Sequence, residues 1–111
     1  MGQVSTYPMA KGKTMKLHDT EILATFADTL PAWTYDRDRN ALYRQIELSD
    51  FVDAFGLMTR IAIIAERRGH HPEWSNVYNR IEIWLTTHDE EGVTNRDVEL
   101  AGDIDRLAQR Y

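Results

Sequence analysis

The sequence predicts an α+β fold: a four-stranded antiparallel sheet with three helices on one face, in the order α-β-β-α-β-β-α. Three observations carry this expectation. Residues 51–68 repeat apolar side chains at helical spacing. Arg80 to His88 alternates, with Ile81, Ile83, Leu85 and Thr87 on one face and Glu82, Trp84, Thr86 and His88 on the other. The breaks between strand-like runs are short and polar, which marks hairpins and therefore antiparallel pairs. Helices interleaved with such hairpins then cover one face of the sheet.

Met1 to Lys16 is small, polar and aperiodic, and is expected to be a flexible tail ahead of a single domain at residues 17–111. Asp19 or Thr20 caps the first expected helix, in which Ile22, Leu23, Phe26 and Leu30 recur at helical spacing before Pro31 stops it. Two strand-like runs follow, Trp33-Thr34-Tyr35 and Ala41 to Leu48, around the wholly polar loop Asp36 to Asn40. Ser49-Asp50 opens the longest helix, which runs to about Arg68. Its apolar residues form two stripes: Phe51, Phe55, Met58, Ala62 and Ala65, and Val52, Leu57, Ile61 and Ile64. A helix with two stripes is covered on more than one side, by its own sheet and by a partner subunit. Gly69 stands where a left-handed residue ends a helix. Pro72 pushes His71 to extended backbone, Trp74 to Tyr78 reads as a strand, and Asn79 as a turn. Asp89 to Gly92 is a loop. Thr94-x-x-Asp97 matches a capping box for a last helix carrying Val98, Ala101, Ile104, Ala108 and Tyr111.

The 111 residues make one domain, with an ordinary 42% hydrophobic and 28% charged content. All three lysines lie in the first sixteen residues, and the remainder sets ten arginines against eighteen acidic residues. Such an acidic body is a poor match for a phosphate backbone, so nucleic acid is not expected as a partner. The absence of cysteine excludes disulfides, thiolate nucleophiles and zinc–sulfur sites. No apolar run reaches a membrane span and no signal-peptide pattern follows Met1, so a cytoplasmic protein is expected.

Three of the four histidines, His70, His71 and His88, fall in one short stretch with carboxylates and aromatics around them. Histidine changes charge near working pH, so the cluster is a candidate for proton-transfer chemistry. The plain alternative is a set of surface histidines beside Pro72 and Glu73. A metal site is not expected, because neighbouring histidines in extended backbone point apart and no His-x-x-x-His pair exists. Glu66, one turn before the pair, is either solvated or a carboxylate that orients an imidazole. Asp97 has a structural role at the third position of the capping box. Trp33, Trp74, Trp84 and Tyr78 are of the type found in cores and interfaces.

Taken together, Glu66-x-x-x-His70-His71-Pro72, five residues, Tyr78, nine residues, His88, eight residues and Asp97 resemble the signature of the pterin-4a-carbinolamine dehydratases. Phe55-Gly56-Leu57-Met58-Thr59-Arg60, Gly92-Val93-Thr94-x-x-Asp97 and Trp33 are similar to the family as well, and the resemblance covers Leu17 to the C-terminus. It implies dehydration of a 4a-hydroxytetrahydropterin to a quinonoid dihydropterin, with no metal and no organic cofactor. His70 and His88 would be the proton-transfer pair, with His71 binding the pterin and assisting. Glu66 would orient an imidazole, Asp97 would hold the helix start and also His88, and Trp33 would wall the site. The implied partners are a pterin substrate, further copies of the chain in a homodimer or homotetramer, and, functionally, an aromatic amino acid hydroxylase. Two other functions stay open: a non-catalytic interaction protein of the transcription-factor cofactor type, and a pterin-binding protein without turnover.

Overall fold

The computed structural model describes Ala24 and residues 28–111. In chain order its elements are β1 (Thr34–Asp36), β2 (Ala41–Glu47), α1 (Phe51–Arg68), β3 (Glu73–Val77), β4 (Arg80–Leu85) and α2 (Asn95–Ala108), with a 3-10 turn at His88–Glu90. The strands form one antiparallel sheet in the order β1-β2-β4-β3.

The α+β class and the four-stranded antiparallel sheet agree with the sequence reading. The helices require a correction. The order is β-β-α-β-β-α with two α-helices among the described residues, instead of α-β-β-α-β-β-α with three. Ile22, Leu23 and Phe26, on which the first expected helix rested, lie outside the described residues, as does the expected tail at 1–16. The last of its apolar set, Leu30, is buried just before a turn closed by the Trp33 N–H on the Leu30 carbonyl at 3.1 Å. Helical spacing of apolar residues shows only that a segment has a face to bury, and Leu30 buries its side chain from a turn.

Local chemistry accounts for the remaining boundaries. The Asp50 side chain caps α1 by accepting the Asp53 N–H at 2.8 Å, and Gly69 ends it at φ 65°, with its N–H on the Ala65 and Glu66 carbonyls. Thr94 and Asp97 form the reciprocal capping box that starts α2. Tyr78 and Asn79 turn the β3–β4 hairpin, so β3 begins and ends one residue earlier than expected, at Glu73 and Val77. Tyr78 sits at φ 51°, and Asn79 ties the turn to Leu48 through its backbone carbonyl and its side-chain amide.

Both helices lie on one face. Leu42 and Ile46 of β2 face Leu85 and Ile81 of β4 in register, and this face meets Ala54, Leu57, Ile61 and Ala65 of α1 and Leu100, Ala101 and Ile104 of α2. Leu100 is a core residue that the spacing argument passed over. The opposite face carries Tyr43, Glu82, Trp84 and Ser75 and is left open; the Tyr43 hydroxyl donates to Glu82 at 2.8 Å. Partial burial and that carboxylate push the Tyr43 hydroxyl's pKa up. The packing leaves both ends of the α1–β3 connection anchored, with Gly69 as its hinge into the histidines.

Gly69 therefore has a checkable cost of replacement. A Cβ in the left-handed region is disfavoured by about 1–2 kcal/mol, and Gly69→Ala is expected to lower the urea unfolding free energy by about that amount with an unchanged m-value.

Candidate active site

Three segments meet at one end of the sheet: the exit from α1 at Gly69 to Pro72, the chain after β4 at Thr86 to Asp89, and the first turn of α2. They line an open cleft of about 430 Å³, with His70, His71, His88, Thr86 and Arg96 in its wall.

His70 follows the left-handed Gly69, and its backbone N–H still reaches back to the Ala65 carbonyl at 3.1 Å. That turns the ring inward. It is 8% exposed, and its Nε2 lies 2.5 Å from Oδ1 of Asp97, which has no exposed surface. A carboxylate removed from water needs donors for its oxygens. Asp97 has them: Oδ2 accepts the Thr94 N–H at 2.9 Å and the Thr87 hydroxyl at 2.8 Å. Thr87 is fixed in turn by its bridge to Gly92, with an N–H to carbonyl distance of 3.0 Å. The carboxylate that starts α2 is thus the one that holds the buried imidazole.

His71, next along extended backbone, points the other way. It is exposed, with Nε2 2.9 Å from Oε1 of Glu66 in the last turn of α1. His88 does not continue the strand as its alternation suggested. β4 ends at Leu85, and the Thr87–Gly92 bridge throws residues 88–90 into a 3-10 turn. His88 places Nε2 2.6 Å from Oε2 of Glu73 at the start of β3. Each of the three imidazoles therefore meets its own carboxylate, and each does so through Nε2. Among the described residues no three His, Asp or Glu side chains are grouped to hold a metal ion.

The structure brings His70, His71 and His88 to one cleft, with Asp97 behind His70 and Glu66 beside His71. Asp97 bonds His70, whereas His88 is held by Glu73. Trp33 is elsewhere: it is buried, its indole N–H donates to Oδ1 of Asp105 at 2.8 Å, and Arg44 pairs with the same carboxylate. It joins β1 to α2 and is not among the residues that line the histidine cleft.

Two residues were missed. Arg96 lines the cleft, and its Nε is buried without a hydrogen-bond partner. The signal was its position directly before Asp97 in the capped first turn, since a capping box also fixes where its neighbours stand. Glu73 was legible only through the sheet register that sets it opposite Trp84.

An imidazole whose Nε2–H is taken by a carboxylate presents Nδ1 as a proton acceptor when neutral and as a donor when charged. Three such groups around one cleft can each accept or give up a proton there.

Residues 15–107 match the family described as pterin 4 alpha carbinolamine dehydratase. A protein of Burkholderia vietnamiensis is 52% identical over 83 residues, covering 75% of this chain and 81% of its own length. One of Rhizorhabdus wittichii is 52% identical over 82 residues, covering 74% and 84%. Both bear the name "Putative pterin-4-alpha-carbinolamine dehydratase". The crystal structure of a transcriptional coactivator/pterin dehydratase from Brucella melitensis superposes with a TM-score of 0.80 at 36% identity, covering 85% of this chain and 99% of that one.

The Asp97 arrangement makes a stability prediction that is independent of any activity. Asp97→Ala strands the Thr94 N–H and the His70 ring and leaves the Thr87 hydroxyl with only the Thr94 hydroxyl, and is expected to cost about 3–5 kcal/mol in urea unfolding. His71→Ala, at an exposed pair, is expected to stay within about 0.5 kcal/mol of the parent.

Proposed function

Because the chain belongs to the pterin-4a-carbinolamine dehydratase family, we propose that its cleft removes water from a 4a-hydroxytetrahydropterin, leaving a quinonoid dihydropterin. The reaction breaks the bond from C4a to the hydroxyl oxygen, which departs as water after gaining a proton. A ring nitrogen gives up a proton as its bond to C4a becomes double. Nothing is oxidised or reduced, so a proton donor and a proton acceptor suffice.

His70 and His88 are assigned as the proton-transfer pair, with His71 binding the pterin and assisting. The observation that carries this assignment is the buried His70–Asp97 pair at the back of a cleft whose rim holds the other two imidazoles. Asp97 orients His70 and Glu66 orients His71. Arg96 supplies a cationic donor for the pterin's carbonyl oxygen. Trp33 stands outside the cleft in this scheme and braces β1 against α2.

The proposal extends to partners. A pterin is the substrate. Phe51, Val52, Phe55 and Ile63 are exposed along α1, which supports packing against further copies of the chain as a homodimer or homotetramer. Among the described residues no helix is long and apolar enough to cross a membrane. A cytoplasmic setting, with the substrate supplied by an aromatic amino acid hydroxylase, completes the proposal.

Stopped-flow turnover of a synthetic 4a-hydroxytetrahydropterin is the test. His70→Ala and His88→Ala are each expected to lower the catalysed rate about 10²–10⁴-fold, in protein whose circular dichroism matches the parent. Arg96→Gln is expected to raise KM more than it lowers kcat. Parent protein that binds pterin by fluorescence yet gives no rate above the uncatalysed reaction would establish a binding protein instead.

A further inference from the structure

His88 is the most exposed of the three imidazoles, at 80% for its side chain, and it sits on a single 3-10 turn. Neither burial nor a regular element holds its ring. Acid–base catalysis needs a ring nitrogen within hydrogen-bond reach of the transferred proton, so something else must orient it.

The side chains on the open face of the sheet form a continuous line to His88. The Asp36 carboxylate accepts the backbone N–H groups of Asp38 and Arg39 at 3.0 and 3.2 Å, which fixes the β1–β2 turn. Its other oxygen accepts the Trp84 indole N–H at 3.1 Å. The Arg39 guanidinium lies over the Trp84 ring, 3.8 Å from its centroid, and Nη2 donates to Oε1 of Glu73 at 3.1 Å. Oε2 of Glu73 then meets Nε2 of His88 at 2.6 Å. A second tie joins the same turn to the chain before His88: the Thr86 hydroxyl donates to the Asn40 carbonyl at 2.9 Å.

As a device for stability this line is weak, since solvent screens exposed ion pairs. Its geometry is more specific than that role requires. The planar guanidinium is stacked on one side and bonded at its edge, a combination lysine does not reproduce. With one oxygen of Glu73 committed to Arg39, the other is left in a single direction, toward His88.

We propose that Glu73 is a positioning residue for His88, and that Arg39, clamped on Trp84, is what holds Glu73 in place. The β1–β2 hairpin is thereby part of the active site, although no residue of it was assigned there. With Glu73 on Nε2, His88 carries its proton on that nitrogen and turns Nδ1 to the cleft. This inference rests on the dehydratase reading of the cleft for its catalytic consequence, but not for its geometry.

The experiment compares Glu73→Gln, Arg39→Ala and Arg39→Lys with the parent, in turnover and in the ring ¹⁵N spectrum of His88 recorded in mildly alkaline buffer. A glutamine side chain has one acceptor oxygen, which Arg39 occupies, so its amide donates to His88 and moves the proton to Nδ1. Glu73→Gln is expected to shift His88 toward the Nδ1–H tautomer and lower kcat about tenfold, with KM within about twofold, as part of the acid–base contribution. Arg39→Ala is expected to lower kcat about threefold, with Arg39→Lys restoring part of the loss. An unchanged His88 tautomer in Glu73→Gln overturns the proposal, and so does an unchanged kcat. A parent protein without turnover defeats the dehydratase reading, while the tautomer comparison still decides whether Glu73 holds His88.

Discussion

The fold and the site share one carboxylate. Asp97 has no exposed surface, and its two oxygens serve the start of α2, the Thr87 hydroxyl and the His70 ring. Satisfying a helix N-terminus and orienting an imidazole are ordinarily separate tasks for separate groups. Here they are fused, so the first turn of α2 is in register with the exit from α1 through a hydrogen bond of 2.5 Å. The Thr87–Gly92 bridge supplies the third side of this arrangement. A displacement of any of the three segments would leave a polar group buried without a partner, a penalty of about 1–3 kcal/mol per group. The His70 side of the cleft therefore inherits the rigidity of the core.

Some of this is written locally and can be read. Gly69, the Thr94-x-x-Asp97 box and the alternation from Arg80 to Leu85 act within a few residues, and each appears where the sequence predicts it. What escapes depends on contacts between distant segments. The strand reading of His88 fails because residue 87 pairs with Gly92 and not with a neighbouring strand, a pairing that alternation does not encode. Asp97 is legible as a cap, but its choice of His70 over His88 follows from how α2 seats against the α1 exit. Trp33 has the residue type of a pocket wall, and a partner far along the chain, Asp105, draws it to the other end of α2. Glu73 is ordinary in sequence and acquires its role from the register that brings Trp84 beside it.

α1 shows the same division between near and far. Its inward face is Ala54, Leu57, Ile61 and Ala65, in which two small residues let the helix lie close to β4. Its outward face leaves Phe51 and Phe55 against each other at 5.8 Å between ring centroids and exposed to solvent. The two stripes seen in the sequence are thus one buried face and one open face of mixed membership. Val52 shows the limit of the pattern: the stripe groups it with core residues Leu57 and Ile61, yet it is 74% exposed, because at about 3.6 residues per turn it lies across the helix from them, while Ala54 of the same turn is buried.

The three imidazole–carboxylate pairs form a series in exposure, and the series matches the tasks proposed for them. At His70–Asp97 the side chains are 9% and 0% exposed, so water does not compete and the geometry holds itself. At His71–Glu66 they are 63% and 65% exposed, where a pair is weak and its geometry soft. His88–Glu73, at 80% and 36%, would be softer still if the pair stood alone. It does not stand alone: Glu73 is gripped from behind by an arginine that an indole ring supports. An exposed ring with a reinforced partner suits a group that must meet substrate arriving from solvent and still deliver a proton along a fixed line. The unreinforced pair suits His71, whose assigned part in binding tolerates a range of orientations.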